Sequence, residues 1–452
     1  MSCVLAVDLG GTSLRVARVA PDGEVLRLAV RPHRIGVEAD AEALWAALVD
    51  AVGEVGTAGI AGVAMGGFTR SQVLVDAAGR PTRAAQCFPD GRAAVVPGAE
   101  TGTWMAMTPF HPVARLAWVA AHDPAALAAA RWVLQPKDFF ILRLTGRAIA
   151  DRVANAWAIR RDTLGTTTAA LERAGLAASL LPEMCDPLDC VGVARGLGLD
   201  GVPVFAGSMD TWMATVGAGV GRAGDAYLVS GTTDAGGVLT AEPEERPGLA
   251  TLPWGAGVFH TGGPSGAGAE CLVWAAEMLG VADAAAVVAL AATARDDAPA
   301  LLFLPALSGT RAPGWDGAAR GALLGLDRGH GPAEMARAVL EGVAFADRAL
   351  LGGIAFERLV LTGGGARGDH WCQVRADVFG RPVVRAAEET GVIGAAAVAW
   401  TGLGVYADLQ QAQGAMCRHD AVFHPRPSVR LERLYEVYRR AWDSSVVLAD
   451  LR

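Results

Sequence analysis

Asp210 and the turn Ser230-Gly231-Thr232-Thr233 carry the residue types from which a chemistry can be read. They stand in PVFAGSMDTWMATVGAGVGRAGDAYLVSGTTDAGG, within residues 202–238. The pattern predicts a strand over 202–206, a small-residue turn bearing Asp210, an Ala/Gly-rich helix, and a second strand ending at 230–233. An acid just past one strand end, followed by a Gly/Thr turn after the next, can set a carboxylate beside a ring of backbone N–H donors. That pairing suits phosphoryl transfer, which needs a base near the attacking hydroxyl and donors around the phosphate.

A second turn of the same kind opens the chain. The apolar run Val4-Leu5-Ala6-Val7 ends in Asp8-Leu9-Gly10-Gly11-Thr12-Ser13-Leu14-Arg15, and an alternating pattern then resumes. The expected element is a β-hairpin whose turn holds an acid, two glycines and two hydroxyls. Glycines let the backbone approach an anion, hydroxyls add donors, and the acid can hold Mg²⁺ through water. A plain hairpin turn is the alternative reading of these residues. Further on, Cys87-Phe88-Pro89-Asp90-Gly91-Arg92 offers a carboxylate and a guanidinium that could fix vicinal hydroxyls, although such a loop pair is as often a surface ion pair. Gly363-Gly364-Gly365 follows a buried strand over 359–362, where the backbone can lie flat against a planar or anionic ligand.

The elements that must position these residues alternate strand, loop and helix. Helices are expected over 41–53, 111–121, 123–131, 139–145, 162–174, 269–279, 332–351, 369–378 and 390–401, and strands over 60–65 and 72–76. This order argues a mixed α/β core rather than a sandwich. The small residues of 390–401 suit either a crossing between moving domains or tight static packing. The second half repeats the strand, glycine turn, strand logic of the first without a residue-level repeat.

Composition excludes several classes. The 452 residues carry a net charge of −8, and Lys137 is the single lysine, so no clustered cationic surface for nucleic acid is expected. No window reaches 18 uninterrupted apolar residues, which argues against a membrane span, and residues 1–3 lead at once into a strand without a signal-peptide pattern. The seven cysteines form no CxxC pair, and a reduced, cytoplasmic setting is the plain expectation. The eight histidines show no HxH or HExxH spacing for a metal-dependent hydrolase.

From Ala6 to about Tyr406 the chain resembles the FGGY carbohydrate kinases of the actin/hexokinase/Hsp70 superfamily, most of all the xylulokinase group. The 8–15 turn is similar to the family's first phosphate motif, 207–219 to the segment with its catalytic aspartate, and 229–233 to its second phosphate motif. Longer signatures are 303–326, resembling FLPxLxGxRxPxWDxxARG, and GGGARGDHWCQVRADVFGRP at 363–382.

The resemblance implies two ribonuclease-H-like (actin-like ATPase) α/β domains, 1–221 and 222–452, with an interdomain cleft whose closure would exclude water. It implies ATP, Mg²⁺ and a small-molecule sugar or polyol substrate. It makes Asp210 the general base, Asp8 the Mg²⁺-associated carboxylate, and Gly11, Thr12, Ser13 and Arg15 ATP contacts of the first turn. Gly231, Thr232 and Thr233 would be ATP contacts of the second turn, Gly364 and Gly365 would lie at the adenosine side, and Thr69, Arg70 and Asp90 would join Asp210 in binding substrate. Many members are dimers, so a homodimer is allowed, though no residue marks its interface. Two departures bear on substrate. The xylulokinase loop GQMHG is here Gly67-Phe68-Thr69-Arg70-Ser71, and the Trp-Asn before the family's acid is Phe88-Pro89. D-xylulose is the first substrate implied, with another ketose, a polyol or a sugar-derived signal as the alternative, and a non-catalytic regulator as a further one.

Overall fold

The computed structural model describes residues 2–96 and 102–448. The chain divides into two compact units: Met1–Gly219 with Leu252–Gly257 and Glu389–Cys417, and Val220–Thr251 with Val258–Glu388 and Arg418–Arg452. Both are built on the same strand logic.

In the first unit a six-stranded sheet runs Cys190–Val193, Pro203–Phe205, Ile60–Gly67, Cys3–Leu9, Ser13–Val19, Val25–Pro32. Cys3–Leu9 pairs antiparallel with the next strand, placing Asp8 opposite Arg15, and parallel with Ile60–Gly67, placing Asp8 opposite Gly66. Every residue of Cys3–Leu9 is buried, as expected of a strand covered on both faces. The Ala41–Val55 helix starts at Asp40, whose carboxylate accepts from the Glu42 and Ala43 N–H groups at 2.9 and 3.3 Å. That side-chain cap satisfies two of the helix's first N–H groups. Its apolar stripe, Leu44, Leu48, Ala51, Val52 and Val55, enters the core beneath the sheet.

The sheet of the second unit includes, in order, Val258–Pro264, Ala235–Thr240, Asp225–Val229, Arg358–Thr362, Val383–Ala386 and His419–Phe423. Asp225–Val229 again pairs antiparallel with its hairpin partner and parallel with a later strand, Arg358–Thr362. The Pro332–Leu350 helix has proline at its first position and Glu334 reaching back to the Gly331 N–H at 2.9 Å, and its buried face includes Val339, Leu340, Val343 and Phe345.

The helices expected over 41–53, 269–279, 332–351, 369–378 and 390–401 form as Ala41–Val55, Ala269–Leu279, Pro332–Leu350, Asp369–Phe379 and Thr390–Gly402. The expected helix over 162–174 is a correction: only Ala169–Arg173 is helical. Leu164 adopts a left-handed φ of 55°, and Gly165 with three threonines follows, a run with weak helix propensity. Thr390–Gly402 packs on Asp210–Gly217 inside the first unit, backbone against backbone. A Cβ on Gly394 would stand 1.9 Å from the Met213 carbonyl oxygen, and one on Gly217 1.9 Å from that of Thr390. Glycine is required at both positions because the helices leave no room for a methyl group.

Candidate active site

The turn after Cys3–Leu9 is shaped by its own carbonyls. The Gly10 N–H donates to the Ser13 carbonyl at 3.0 Å, and the His33 backbone N–H to the Thr12 carbonyl at 2.9 Å. His33 Nε2 lies 2.8 Å from the Gly10 carbonyl oxygen, which can only accept, so that nitrogen carries the proton. Among the described residues the N–H groups of Gly11 and Thr12 donate to no protein acceptor, which leaves them for an anion. The Phe88 ring stands 3.7 Å from where a Cβ on Gly11 would lie. Arg15 donates to Ser13 Oγ at 2.9 Å and pairs with Glu389 at 3.1 Å.

Asp8 and Asp210 face each other electrostatically in this unit. Burial, with the Asp210 charge next, pushes the Asp8 carboxyl up to about 7. Asp8 Oδ1 is buried without a hydrogen-bond partner. Among the described residues no group of three or more His, Cys, Asp or Glu is assembled to hold a metal ion. An orphaned, buried carboxylate oxygen nevertheless fits a cation that brings its remaining ligands with it, as Mg²⁺ does when it arrives on phosphates. Asp210 opens the Asp210–Gly217 helix, where its Oδ1 accepts the Thr211 N–H at 2.7 Å. Burial raises its pKa and makes it a better base than a free aspartate, against the opposing pull of the Thr211 hydrogen bonds.

Behind Asp210 runs a buried polar chain. Lys137 Nζ lies 2.5 Å from Asp138 and 2.8 Å from Asp151, and donates to the Ala206 carbonyl at 3.4 Å. Asp151 Oδ1 accepts from Ser208 Oγ at 2.7 Å and from the Ala154 N–H at 2.9 Å. The Ala154 carbonyl in turn accepts from Thr69 Oγ at 3.4 Å. Asp151 thus ties the segment that carries Asp210 to the 67–71 loop.

Arg70 in that loop is left-handed at φ 57°, and its carbonyl accepts from Arg115. Arg115 is fully buried and also donates to the carbonyls of Asp90 at 3.0 Å and Phe88 at 2.8 Å, so one guanidinium clasps three backbone positions. Asp90, expected to face the sugar, is turned inward. It is fully buried, and its carboxylate accepts from Arg92 Nε and Nη2, the Arg92 N–H and Gln86 Nε2 at 2.9 to 3.0 Å. Burial alone would raise its pKa; the donors from Arg92 and Gln86 outweigh it and hold the carboxyl below the usual range. Arg115 escaped the sequence reading, and its one signal is an arginine on the apolar stripe of the Pro112–His122 helix.

In the second unit, Ser230 anchors the other turn. Its N–H donates to the Thr362 carbonyl at 2.8 Å and its carbonyl accepts from Gly365 at 3.0 Å. A Cβ on Gly365 would stand 2.2 Å from Ser230 Oγ, and one on Gly363 2.5 Å from the Ser230 carbonyl oxygen, whereas Gly364 has nothing within 4 Å. Two of the three glycines are therefore demanded by Ser230, and Gly364 is the open one. Ala269 and Glu270 donate their N–H groups to the carbonyls of Gly231 and Thr232, both at 3.0 Å. The N–H groups of Gly231, Thr232 and Thr233 meet no acceptor among the described residues. Arg375 holds this turn from beneath, donating to Ser230 Oγ at 2.9 Å and to Asp234, and to Asp347 at 3.2 Å.

Residues 3–217 match the N-terminal domain of the FGGY family of carbohydrate kinases, and residues 226–403 match its C-terminal domain. This chain belongs to that family. As an FGGY carbohydrate kinase it is an ATP-dependent phosphotransferase acting on a sugar hydroxyl. It is 32% identical over 416 residues to the xylulose kinase of Escherichia coli (strain K12), covering 83% of this chain and 85% of that one. It is 31% identical over 497 residues to the glycerol kinase of Gloeobacter violaceus, covering 98% and 96%. Among solved structures, a xylulose kinase from Rhodospirillum rubrum superposes with a TM-score of 0.88 at 26% identity, covering 99% of this kinase and all of that chain (100%). The actin-like ATPase fold of the FGGY kinases is thereby the fold of this chain. No single described helix of this kinase is long and apolar enough to cross a membrane.

Proposed function

We propose that this kinase phosphorylates a ketopentose, D-xylulose first, with Asp210 as the general base. The observation that carries the reading is the helix-opening, burial-raised carboxylate of Asp210 in a chain whose 32% identity to a xylulose kinase extends over 416 residues. One oxygen of Asp210 is occupied by Thr211, and Oδ2 is the atom to receive the proton. As the sugar hydroxyl oxygen forms its bond to the γ-phosphorus, its proton passes to Asp210, the bond between the γ-phosphorus and the bridging oxygen breaks, and ADP leaves with that electron pair. Gly11, Thr12, Gly231, Thr232 and Thr233 donate N–H groups to the phosphates, with Ser13 and Arg15 shaping the first turn. Gly364 lies open for the adenosine side. Asp8 would hold Mg²⁺, which, when bound, neutralises phosphate charge. Thr69 and Arg70 line the sugar, while Asp90 and Arg115 set the loop that presents them.

A second substrate reading rests on Arg70, which stands where the xylulokinase loop has histidine, and on the 31% identity to a glycerol kinase across nearly the whole chain. A guanidinium suits an extra hydroxyl or a carboxylate, so a polyol or another sugar is the competitor. ADP release measured with ATP and Mg²⁺ across ketopentoses, ketohexoses, pentitols, tetritols, glycerol and sugar acids decides between them. D-xylulose as the strongest substrate supports the first reading, and a different one transfers specificity to the 67–71 loop. Asp210→Ala should fold normally and lose about 10²–10⁴-fold in turnover. Near-normal turnover in that variant removes Asp210 from its role.

A further inference from the structure

The second unit contains a cavity of about 950 Å³, within the range of small-molecule sites, and none of Gly231, Thr232, Thr233, Gly364 or Gly365 lines it. Its charge is opposite to that of the chain. Arg246, Arg348, Arg439 and Arg440 stand on its walls against one glutamate, Glu436, in a protein whose net charge is −8. Arg348 is held in place by Glu432 at 2.9 and 3.0 Å and by the Val378 carbonyl at 2.8 Å, with its guanidinium 4.2 Å from the centre of the Tyr435 ring. Arg246 pairs with Glu244 at 2.6 Å. Arg439 pairs with no carboxylate among the described residues.

Tyr438 supplies a second, independent observation. It lines the cavity with a side chain only 2% exposed, its ring packed against Phe345 and Trp442. Its hydroxyl makes no hydrogen bond to another described residue and is not among the sealed, partnerless polar atoms of the interior, so it opens onto the cavity. Burial holds the phenol well above its ordinary pKa, so it is an O–H donor throughout the usual range. A donor that opens onto a cavity with no protein acceptor is free to donate to a ligand bound there. Guanidinium groups match phosphate oxygens two at a time, and an arginine-rich wall with a hydroxyl donor beside it suits a dianion better than a single carboxylate.

We propose that this cavity is a binding site for a small phosphate-bearing molecule, separate from the residues that take ATP. The inference does not depend on which sugar the kinase phosphorylates.

Pyrophosphate is the probe, titrated calorimetrically into the full-length protein with Mg²⁺ and a saturating non-hydrolysable ATP analogue. The analogue occupies the two phosphate turns, so the remaining binding reports the cavity. One site is expected, weakened about tenfold by Arg439→Ala and several-fold by Tyr438→Phe, since each removes one hydrogen-bonding partner of the anion. Sugar-dependent ADP release should be unchanged in both variants, because neither residue belongs to the catalytic machinery. Pyrophosphate heat that vanishes once the analogue is bound, or that is identical in wild type and both variants, overturns the proposal. Citrate binding at this site with pyrophosphate silent overturns the phosphate class.

Discussion

Lys137 in the first unit and Arg375 in the second are both buried between two aspartates, and they differ in how completely they are satisfied. Lys137 donates to Asp138 and the Ala206 carbonyl and forms an ion pair with Asp151 at 2.8 Å, so each of the three donors of its ammonium has an acceptor close by. Arg375 binds Asp234, Asp347 and Ser230 but leaves Nη1 buried without a partner, its guanidinium lying 4.1 Å from the centre of the Trp371 ring. The carboxylates differ too. Burial, with the Asp234 charge next, pushes Asp347 well above the ordinary carboxylate range, and burial raises Asp234 as well, against the pull of Arg375. In the first unit burial raises Asp138 only to about 6, against the pull of Lys137. A compact charge thus gathers chain segments around a point, while a planar fork braces one turn from below.

Removing the cation should test this difference most strongly. Lys137→Met leaves two carboxylates buried and facing each other, and a loss of about 3–5 kcal/mol is expected. Arg375→Met removes the cation beside a carboxyl that burial already pushes well up, so less unpaired charge is left behind and the loss should fall toward the lower end of that range. Urea or guanidinium midpoints at pH 7 compare the two. Equal losses would mean that the two clusters carry the same charge after all.

A smaller effect separates the clusters by function. Ser208 lies two residues before Asp210 and donates to Asp151, while Ser230 opens the second glycine turn and donates to Asp234. Each Ser→Ala change removes one hydrogen bond, worth about 1 kcal/mol in stability. Ser208→Ala should lower kcat and raise the sugar KM several-fold with the ATP KM unchanged. Ser230→Ala should do the reverse, raising the ATP KM with the sugar KM unchanged. Two-substrate steady-state kinetics gives both numbers, and parallel changes in the two variants would erase the distinction.

Both glycine turns were legible in the sequence as turns, because Asp8-Leu9-Gly10-Gly11-Thr12 and Ser230-Gly231-Thr232-Thr233 stand at the ends of apolar strands and local spacing is enough to read them. The buried cation clusters were not. Lys137 stands out as the only lysine, but its partners Asp151 and the Ala206 carbonyl are 14 and 69 residues away, and only the fold brings them together. Arg375 and Asp234 are 141 residues apart. The surroundings of Asp90 were not legible for the opposite reason: an acid beside an arginine lies in one short stretch, but its burial against Arg92 and Gln86 is a property of the fold. The Val429–Leu448 helix went unread, since its charged residues blur the apolar stripe that Leu431, Leu434 and Tyr438 form against the core.

The smallest effect concerns pH. Asp138 sits at about 6 in the folded protein against an ordinary 3.8, so between those values the folded chain keeps a proton that the unfolded chain has released. Its contribution is therefore most favourable at the acid end, is lost as pH rises through about 6, and is flat beyond. Asp138→Asn has no such proton, so its stability relative to wild type should improve from pH 4 to 6 and then stop changing. Asp347 is raised further, and the gap between Asp347→Asn and wild type should go on changing above the pH at which the Asp138 gap levels. Denaturation midpoints of both variants and wild type from pH 4 to 8 check this. If the two gaps level at the same pH, the fork and the point charge hold their carboxylates alike, and the asymmetry between the units lies in geometry alone.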